Sequence, residues 1–363
     1  MALTFNNDLL VGASDLEQAR EEFPRVFFAL NHPALRDAFL PIDARANKSK
    51  LRSRRWGLIA VFMATLALMI ASAEVLYHGA HEELVRVIAI VGAIAGICGV
   101  IIGVFGVMFH EKKEQWLADR LSTERLRQFH FQSFVAFAQQ IVSGATDEAA
   151  ARAFLERRNQ EYAAFNSKVV ERAKHELHHV VEADDPGEGL IFPEHAKKLD
   201  ADQPVLDEYF RAYTVLRFER QIGYCDFMLR RKGGFLKYAP VQQARILGAI
   251  AMSCVFAILV LHGLVFVGAI AEIKWMKGPP IHVAAIWSAI VALAARTIEE
   301  GFQPETEAER LRQYRLSLRR IFERFNSSAD TDDKIKAMID LEKLSFEEMV
   351  LFLRTNYEAK FVM

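Results

Sequence analysis

The sequence predicts an all-α, polytopic membrane protein in which four transmembrane helices form two hairpins and carry a helical cytoplasmic domain. Four apolar runs without Asp, Glu, Lys or Arg predict the spans, at residues 56–73, 87–109, 246–271 and 278–295. A helix needs roughly 20 apolar residues to cross a ~30 Å hydrocarbon core. The second and third runs exceed that length, and the first is predicted to continue beyond Glu74. The fourth is short, but it supplies the partner that the third span needs.

The spans divide the chain into five predicted segments. Apolar residues at helical spacing predict long helices between the hairpins and after the second one, and no segment reads as a strand. The segments are N-terminal cytoplasmic helices (1–55), a first transmembrane hairpin (56–110), a cytoplasmic helical domain (111–245), a second transmembrane hairpin (246–296) and C-terminal cytoplasmic helices (297–363).

Basic residues flank the spans on one side, and Lys and Arg near the end of a span tend to remain in the cytoplasm. They cluster before the first span, after the second and before the third. The connection over 78–84 has two Glu and no Lys or Arg, whereas Lys274 and Lys277 weakly oppose the assignment. We therefore expect both termini and the middle domain to be cytoplasmic.

An internal repeat accompanies the two hairpins. The run Glu-Arg-Leu-Arg-Gln followed by an aromatic residue occurs at 124–129 and again at 309–314, each time after the second span of a hairpin. This predicts a parallel duplication of one unit. The repeated arginines have two interpretations, namely pairing with acids on adjacent helices below each hairpin or bidentate binding of an anionic effector. These arginines are Arg125, Arg127, Arg310 and Arg312.

The second span carries a glycine seam, which we define as Gly92, Gly96, Gly99, Gly103 and Gly106, with spacings of four, three, four and three. This is heptad spacing, and small residues let membrane helices approach closely. Two interpretations are open: packing against the partner span or a neighbouring subunit, or a pore-facing, gating surface.

Two ionisable residues lie in or beside the spans, where such side chains are costly and often functional. Glu74 is near the outer end of the first span, so it is either interfacial or part of a charged ring at a pore mouth. His262 lies within the third span and either bonds to a neighbouring helix backbone or serves a pore. No chain of carboxylates crosses the bilayer in the sequence, which disfavours a proton-coupled pump.

No catalytic arrangement, phosphate-binding glycine loop or cofactor motif is evident, so no enzymatic activity is predicted. His175 and His179 share a helix face, as two metal ligands would, but a third ligand is missing and no metal site is predicted. Basic clusters over 152–158 and 230–232 could attract phosphate or nucleic acid, although such clusters are often solvated faces or lipid contacts.

A set of residues recurs in the helix after each hairpin. In the first copy the set comprises Trp116, Arg120, Glu124, Arg127 and Phe129. In the second copy, which has no matching tryptophan, it comprises Glu309, Arg312 and Tyr314. Together with the hairpins, this layout resembles the SLATT family, two-span modules that act as pore-forming effectors in bacterial conflict systems. The doubled unit is similar to the channel-like effectors of Hailong anti-phage defence.

The resemblance implies an oligomeric channel or pore, for example a homotetramer, in the lipid of the bacterial inner membrane. Its implied ligand is a nucleotide or DNA oligomer made by a partner nucleotidyltransferase, and its implied effect is depolarisation of the cell in abortive infection. The near absence of external loops and the large cytoplasmic body suit such a sensor. The alternative hypothesis is a non-conducting membrane scaffold that recruits a cytoplasmic partner through its amphipathic helices.

Overall fold

The computed structural model describes residues 6–77, 82–102, 110–194, 199–231, 235 and 238–358, and its regular elements there are all helical. This confirms the predicted all-α class. The α-helices are α1 (Ala13–Glu22), α2 (Phe27–Leu30), α3 (Pro33–Ala73), α4 (Glu82–Ile102), α5 (His110–Ala136), α6 (Ala138–Gly144), α7 (Glu148–Phe165), α8 (Ala173–Glu182), α9 (Gln203–Tyr213), α10 (Arg220–Arg230), α11 (Pro240–Ile270), α12 (Pro279–Phe302), α13 (Pro304–Ser327) and α14 (Thr331–Glu358). Short 3-10 helices lie at Asn7–Leu9, Glu74–Tyr77 and Lys274–Lys277, and π-helical turns at Asn166–Val170 and Thr214–Glu219.

Four stretches of helix within the described residues are long and apolar enough to cross a membrane, as predicted. They belong to α3, α4, α11 and α12. Helix α3 spans 41 residues, with Pro41 inside it, and its first half is polar whereas its second half is apolar. Helix α12 ends where Gln303 adopts a left-handed conformation with φ of 43°, and α13 begins at the next residue.

The chain forms two compact units. The helical body comprises the described residues of Met1–Lys48, Glu114–Arg230 and Glu309–Glu358. The apolar unit comprises those of Ser49–Lys113 and Arg231–Ala308.

Aromatic side chains dominate the core of the helical body. Phe134 stacks on Tyr209 with ring centroids 4.6 Å apart, and Phe129 packs on Phe165 at 4.9 Å. These rings come from α5, α7 and α9, and most of them are fully buried. Burial of large aromatic rings supplies much of the hydrophobic free energy that holds such helices together.

Within the apolar unit, the second hairpin packs α11 against α12 and contacts the first hairpin through Trp287. The indole Nε1 of Trp287 donates to the backbone oxygen of Met69 at 3.1 Å and to Ser72 Oγ at 3.0 Å. An indole N–H that enters an apolar environment needs such an acceptor. Trp287 on α12 is therefore a polar link to the last turns of α3.

Candidate functional site

The glycine seam faces the partner span of its own hairpin. A Cβ added to Gly92 would lie 2.8 Å from Cγ2 of Ile70, and one added to Gly96 would lie 3.6 Å from Cβ of Ala67. At Gly99 the neighbour is backbone, because an added Cβ would lie 3.1 Å from the amide nitrogen of Ala64. The contact thus moves along α3 as the seam moves along α4, which is close antiparallel packing. Gly103 and Gly106 lie outside the described residues.

We expect Gly99→Leu to destabilise the first hairpin, because the main chain of Ala64 cannot yield as a flexible side chain could. Overpacking costs about 1–3 kcal/mol or more, which exceeds the roughly 1 kcal/mol gain in helix propensity. Protease resistance and melting temperature of the purified full chain in nanodiscs measure the loss.

Gly263→Leu on α11 is the matched control, because nothing in the described structure lies within 4 Å of a Cβ at Gly263. It receives the same gain in helix propensity without the clash, so its melting temperature should not fall. Equal losses for the two variants would contradict close packing at the seam.

A groove of about 390 Å³ opens beside the seam, between the C-terminal end of α3 and the N-terminal half of α4. Its walls are apolar apart from Glu74, and Gly92 forms part of the floor. The Glu74 side chain is exposed at the first residue of the 3-10 turn that ends α3. The other face of α4 exposes Ile94, Ile97 and Val100, each by more than half, as a surface for lipid or for another copy of the chain would.

His262 is exposed on α11, and its Nδ1 lies 2.9 Å from the backbone oxygen of Ile258 on the same helix. The hydrogen bond to a neighbouring helix, which was one of the two sequence interpretations, is therefore absent from the described structure. One ring nitrogen satisfies a carbonyl of the preceding turn, and the ring remains at the surface of α11.

The first copy of the repeat places both arginines inside the helical body. Arg127 Nε lies 2.7 Å from Asp8 Oδ2, and its Nη1 donates to Glu124 Oε2 at 2.8 Å. Burial alone would raise the pKa of Glu124, but Arg120 and Arg127 lower it to about 2. Arg125 instead donates to the carbonyl of Gly189 at 2.9 Å. Arg127 is thus occupied by acids of the same chain.

The second copy is more exposed. Arg310 pairs with Glu348 on α14, whereas Arg312 pairs with Glu309 one turn earlier at 3.4 Å, and both partners of this second pair are exposed. The equivalent arginines Arg125 and Arg310 lie over phenylalanine rings six residues apart on α14, at 5.2 and 5.1 Å from the ring centroids. These rings belong to Phe346 and Phe352. Helix α14 therefore receives the same stacking contact from both copies.

Ion pairs join the helix before each hairpin to the helix after it. Arg45 of α3 makes two 2.6 Å hydrogen bonds to Asp119 of α5, and we call this contact the first clasp. Asp226 of α10 accepts from Arg315 of α13 at 2.7 Å and lies 3.4 Å from Arg319, and we call this the second clasp. Bidentate and shared carboxylate contacts fix geometry better than single ion pairs.

A second buried pair was not anticipated from the sequence. Arg217 donates to both carboxylate oxygens of Glu342, at 2.8 and 2.9 Å, and Tyr213 Oη donates to the same carboxylate at 2.8 Å. The guanidinium carbon lies 4.6 Å from the ring centroid of Phe131. Burial disfavours the charged guanidinium, but Glu342 raises the pKa of Arg217 above its ordinary value. A lone arginine inside the apolar stretch 213–218 was the available signal.

His175 and His179 acquire no third ligand among the described residues. The one group there with the spacing of metal ligands consists of Asp330, Asp332 and Asp333. Lys336 pairs with the last two at 2.7 and 3.3 Å. These carboxylates lie at the start of α14, where acids favour a helix N-terminus.

No protein-family model, curated protein or solved structure matches this chain. Function is therefore inferred from the chain's own residues and contacts. Those contacts comprise a tightly packed apolar hairpin, a groove with one carboxylate, and two clasps, each between a chain segment before a hairpin and a segment after it.

Proposed function

We propose that this chain forms a homo-oligomeric membrane channel or pore-forming effector, for example a tetramer, gated by a nucleotide or oligonucleotide from the cytoplasm. In this proposal the spans lie in the inner membrane of a bacterium, and both termini and the helical body are cytoplasmic. The effector depolarises the cell in abortive infection, a role that rests on the SLATT resemblance. No enzymatic step is assigned to the chain.

The observation that carries the proposal is the continuity of α3. One helix without a break over 41 residues contains both the first clasp residue, Arg45, and the apolar segment that ends at Ala73. In this proposal a shift of Arg45 reaches the apolar segment through the backbone of the same helix. Helix α5 carries the opposing residue, Asp119, and follows the second span.

Gating requires two states that a ligand binds with different affinity. The clasps provide contacts that one state can keep and the other can break, since Arg45 is half-exposed and its pair with Asp119 is accessible to solvent on one side. Glu74 at the end of α3 and His262 on α11 are the ionisable groups we propose for the ion pathway. In a ring of subunits, lipid-facing and pore-facing surfaces would both come from the exposed apolar faces of α4 and α11.

The scaffold hypothesis keeps one specific observation in its favour. The three described seam glycines face α3 within the hairpin, and Gly92 also borders the groove, so the described part of the seam does not by itself supply a pore surface. For the same reason Gly99→Leu is a folding variant and cannot serve as a pore-blocking control.

Ion flux from proteoliposomes that contain the purified full chain separates the two hypotheses. We expect flux that changes at least about tenfold when nucleotides or short DNA oligomers are added, which corresponds to about 1.4 kcal/mol of coupling. Arg45→Gln breaks the first clasp and should shift the ligand dependence.

Arg25→Gln is the matched control. Arg25 is another half-exposed arginine of the helical body and pairs with Glu208 at 3.4 Å, away from both clasps. It should leave the ligand dependence unchanged. Absence of flux with every ligand, from a protein that melts cooperatively, would favour the scaffold and reject the channel.

A further inference from the structure

A group of four cationic or titratable side chains surrounds the start of α3. His32 precedes the first residue of the helix, and its carbonyl accepts the amide of Arg36 at 3.2 Å, so His32 is the N-cap residue. The other two side chains come from facing helices, His130 from α5 and Arg158 from α7. We call His32, Arg36, His130 and Arg158 the basic cluster.

Contacts around His32 hold the basic cluster together. Its ring lies 4.9 Å from that of Tyr162 on α7 and 6.1 Å from that of Phe129, the residue before His130. Arg158 donates to the carbonyl of Asn31, the residue before His32, at 3.2 Å. Helices α5 and α7 therefore both contact the start of α3.

Three members of the basic cluster are buried, Arg36 is partly buried, and the cluster is incompletely hydrogen-bonded. His32 and Arg158 are 2% and 3% exposed, and His130 is 3% exposed. In the described part of the chain, both ring nitrogens of His32, Nε2 of His130, Nε of Arg158 and Nη1 of Arg36 have no hydrogen-bond partner. An unsatisfied buried donor costs about 1–3 kcal/mol, so several of them in one place indicate a missing acceptor.

Among the described residues, no buried carboxylate pairs with the charges of the basic cluster. Arg158 uses its two terminal nitrogens on the backbone oxygens of Ala29 and Asn31, which cap the C-terminus of α2. Burial, followed by the neighbouring Arg36, lowers the pKa of Arg158 to about 10. Asp37 is the nearby acid on α3, and its side chain is exposed at the surface. Helix α7 thus adds a buried cation without an ion-pair partner.

The helix itself contributes donors at the same place. The amides of the first turn have no acceptor within a helix, and Pro33 occupies the position that needs no N–H. The amides of Ala34 and Leu35 belong to this turn, and Pro33 and Ala34 are exposed, so the turn is open to solvent on one side. A helix N-terminus with cationic side chains behind it is a favourable environment for an anion.

We propose that the basic cluster at the start of α3 binds a phosphate group, either inorganic phosphate or the terminal phosphate of a nucleotide or DNA oligomer. The guanidinium of Arg36 and the rings of His32 and His130 contact the phosphate oxygens, and Arg158 contributes charge from behind. In the second case the inference deepens the proposed function, and it rests on that function only for the identity of the ligand. The bound phosphate would then lie at the head of the same helix that ends in the first apolar span.

Isothermal titration calorimetry of the purified full chain measures binding at this site directly, independently of ion flux. The probes are inorganic phosphate, a DNA dinucleotide with a 5′-phosphate, and the same dinucleotide without it, all at equal ionic strength. We expect saturable binding of at least one phosphate probe. Arg36→Gln should weaken it about tenfold or more, since one charge-assisted contact is lost.

Arg172→Gln is the matched control, because Arg172 is an exposed arginine just before α8, outside both basic clusters of the sequence, and the substitution removes the same charge. It should leave binding unchanged. His32→Gln is a second variant, and the melting temperature of each unliganded protein reports whether it folds. Binding of inorganic phosphate alone identifies the free anion as the ligand, and binding of the 5′-phosphorylated dinucleotide alone identifies a nucleotide terminus.

Two results would overturn the site: no binding of either phosphate probe at millimolar concentration, or equal weakening by Arg36→Gln and Arg172→Gln. A silent proteoliposome assay together with specific phosphate binding would reject the channel and keep the site. Ligand-dependent ion flux without phosphate binding would reject the site and keep the channel.

Discussion

Replacing Glu342 by Gln is expected to destabilise the helical body by about 3–5 kcal/mol, because it leaves the charge of Arg217 buried without compensation. Both side chains of the pair are at most 2% exposed, and water cannot replace the lost carboxylate. The amide also cannot accept from Arg217 and Tyr213 with full strength at once. At about 2–4 °C per kcal/mol for a domain of this size, the melting temperature should fall by roughly 6–20 °C.

Asp340→Asn is the matched control for this prediction. Asp340 lies on the same helix, half a turn earlier, and pairs with Arg324 of α13 at the surface. An exposed pair contributes about 0–1 kcal/mol, so the melting temperature should change little. Thermal unfolding of each variant as the full chain in nanodiscs measures the difference.

The double variant Arg217→Met with Glu342→Leu separates charge burial from packing. Removing both charges leaves no uncompensated ion, so the double variant should be more stable than either single variant. If it were as unstable as the sum of the single variants, the pair would contribute through shape alone, contrary to the electrostatic explanation.

The four apolar helices could be predicted because their signal is local. A run of apolar residues long enough for a bilayer is readable from composition, and it needs no knowledge of which helix packs on which. The glycine spacing was equally local. The surface that the glycines face could not be predicted from the sequence. The choice between the partner span and a pore depends on where α3 lies, and contacts such as that of Gly99 with Ala64 fix its place.

The polar contacts of the helical body could not be predicted in the same way. Arg217 and Glu342 are 125 residues apart, so the sequence around one does not identify the other as its partner. The cluster over 152–158 was read as one basic surface, but the structure buries Arg158 and exposes Arg152 and Arg157. The spacing of Phe154 and Arg158, one turn apart on one face, was the available signal for that burial.

The repeat illustrates how identical residues acquire different surroundings. Arg127 and Arg312 occupy equivalent positions, yet Arg127 is held by Asp8 whereas Arg312 is exposed. The difference arises because the N-terminal turn at Asn7–Leu9 covers α5, and no described segment covers the equivalent face of α13 in this chain. A sequence motif therefore fixes which residues can pair, while the segments packed on it decide whether they are buried.

Acidification from pH 7.5 to 5.5 is expected to destabilise the helical body by about 2.7 kcal/mol through His32 and His130, both of which lie outside the apolar spans. Burial, with added repulsion from Arg158, lowers the pKa of His32 to about 2 and that of His130 to about 3. The unfolded chain takes up protons near pH 6.5, while the folded chain does not. Stability is therefore complete above pH 6.5 and falls below it by about 1.4 kcal/mol per pH unit for each histidine.

The charged and titratable neighbours of these rings are Arg36 and Asp37 on α3, Arg158 and Tyr162 on α7, and Arg217. The arginines stay protonated across this interval, and burial raises the pKa of Tyr162 to about 12, so the phenol stays neutral. The chosen interval lies above the ordinary pKa of carboxyl groups, and Asp8, whose pKa is raised by burial, is present in both proteins compared below. The histidines should therefore account for the difference in pH dependence between those two proteins.

The measurement compares the wild type with a variant that carries His32→Gln and His130→Gln, melted as full chains in phosphate-free buffer. The wild type should lose roughly 5–11 °C more than the variant between pH 7.5 and 5.5. Equal losses would show that the histidines are not held neutral.

Added phosphate provides a further distinction. A phosphate bound beside the rings stabilises their protonated forms, so it should reduce the pH dependence of the melting temperature of the wild type and leave that of the variant unchanged. The same two side chains then weaken the empty fold in acid and strengthen the binding of an anion, which is the linkage expected of a site that takes up protons with its ligand.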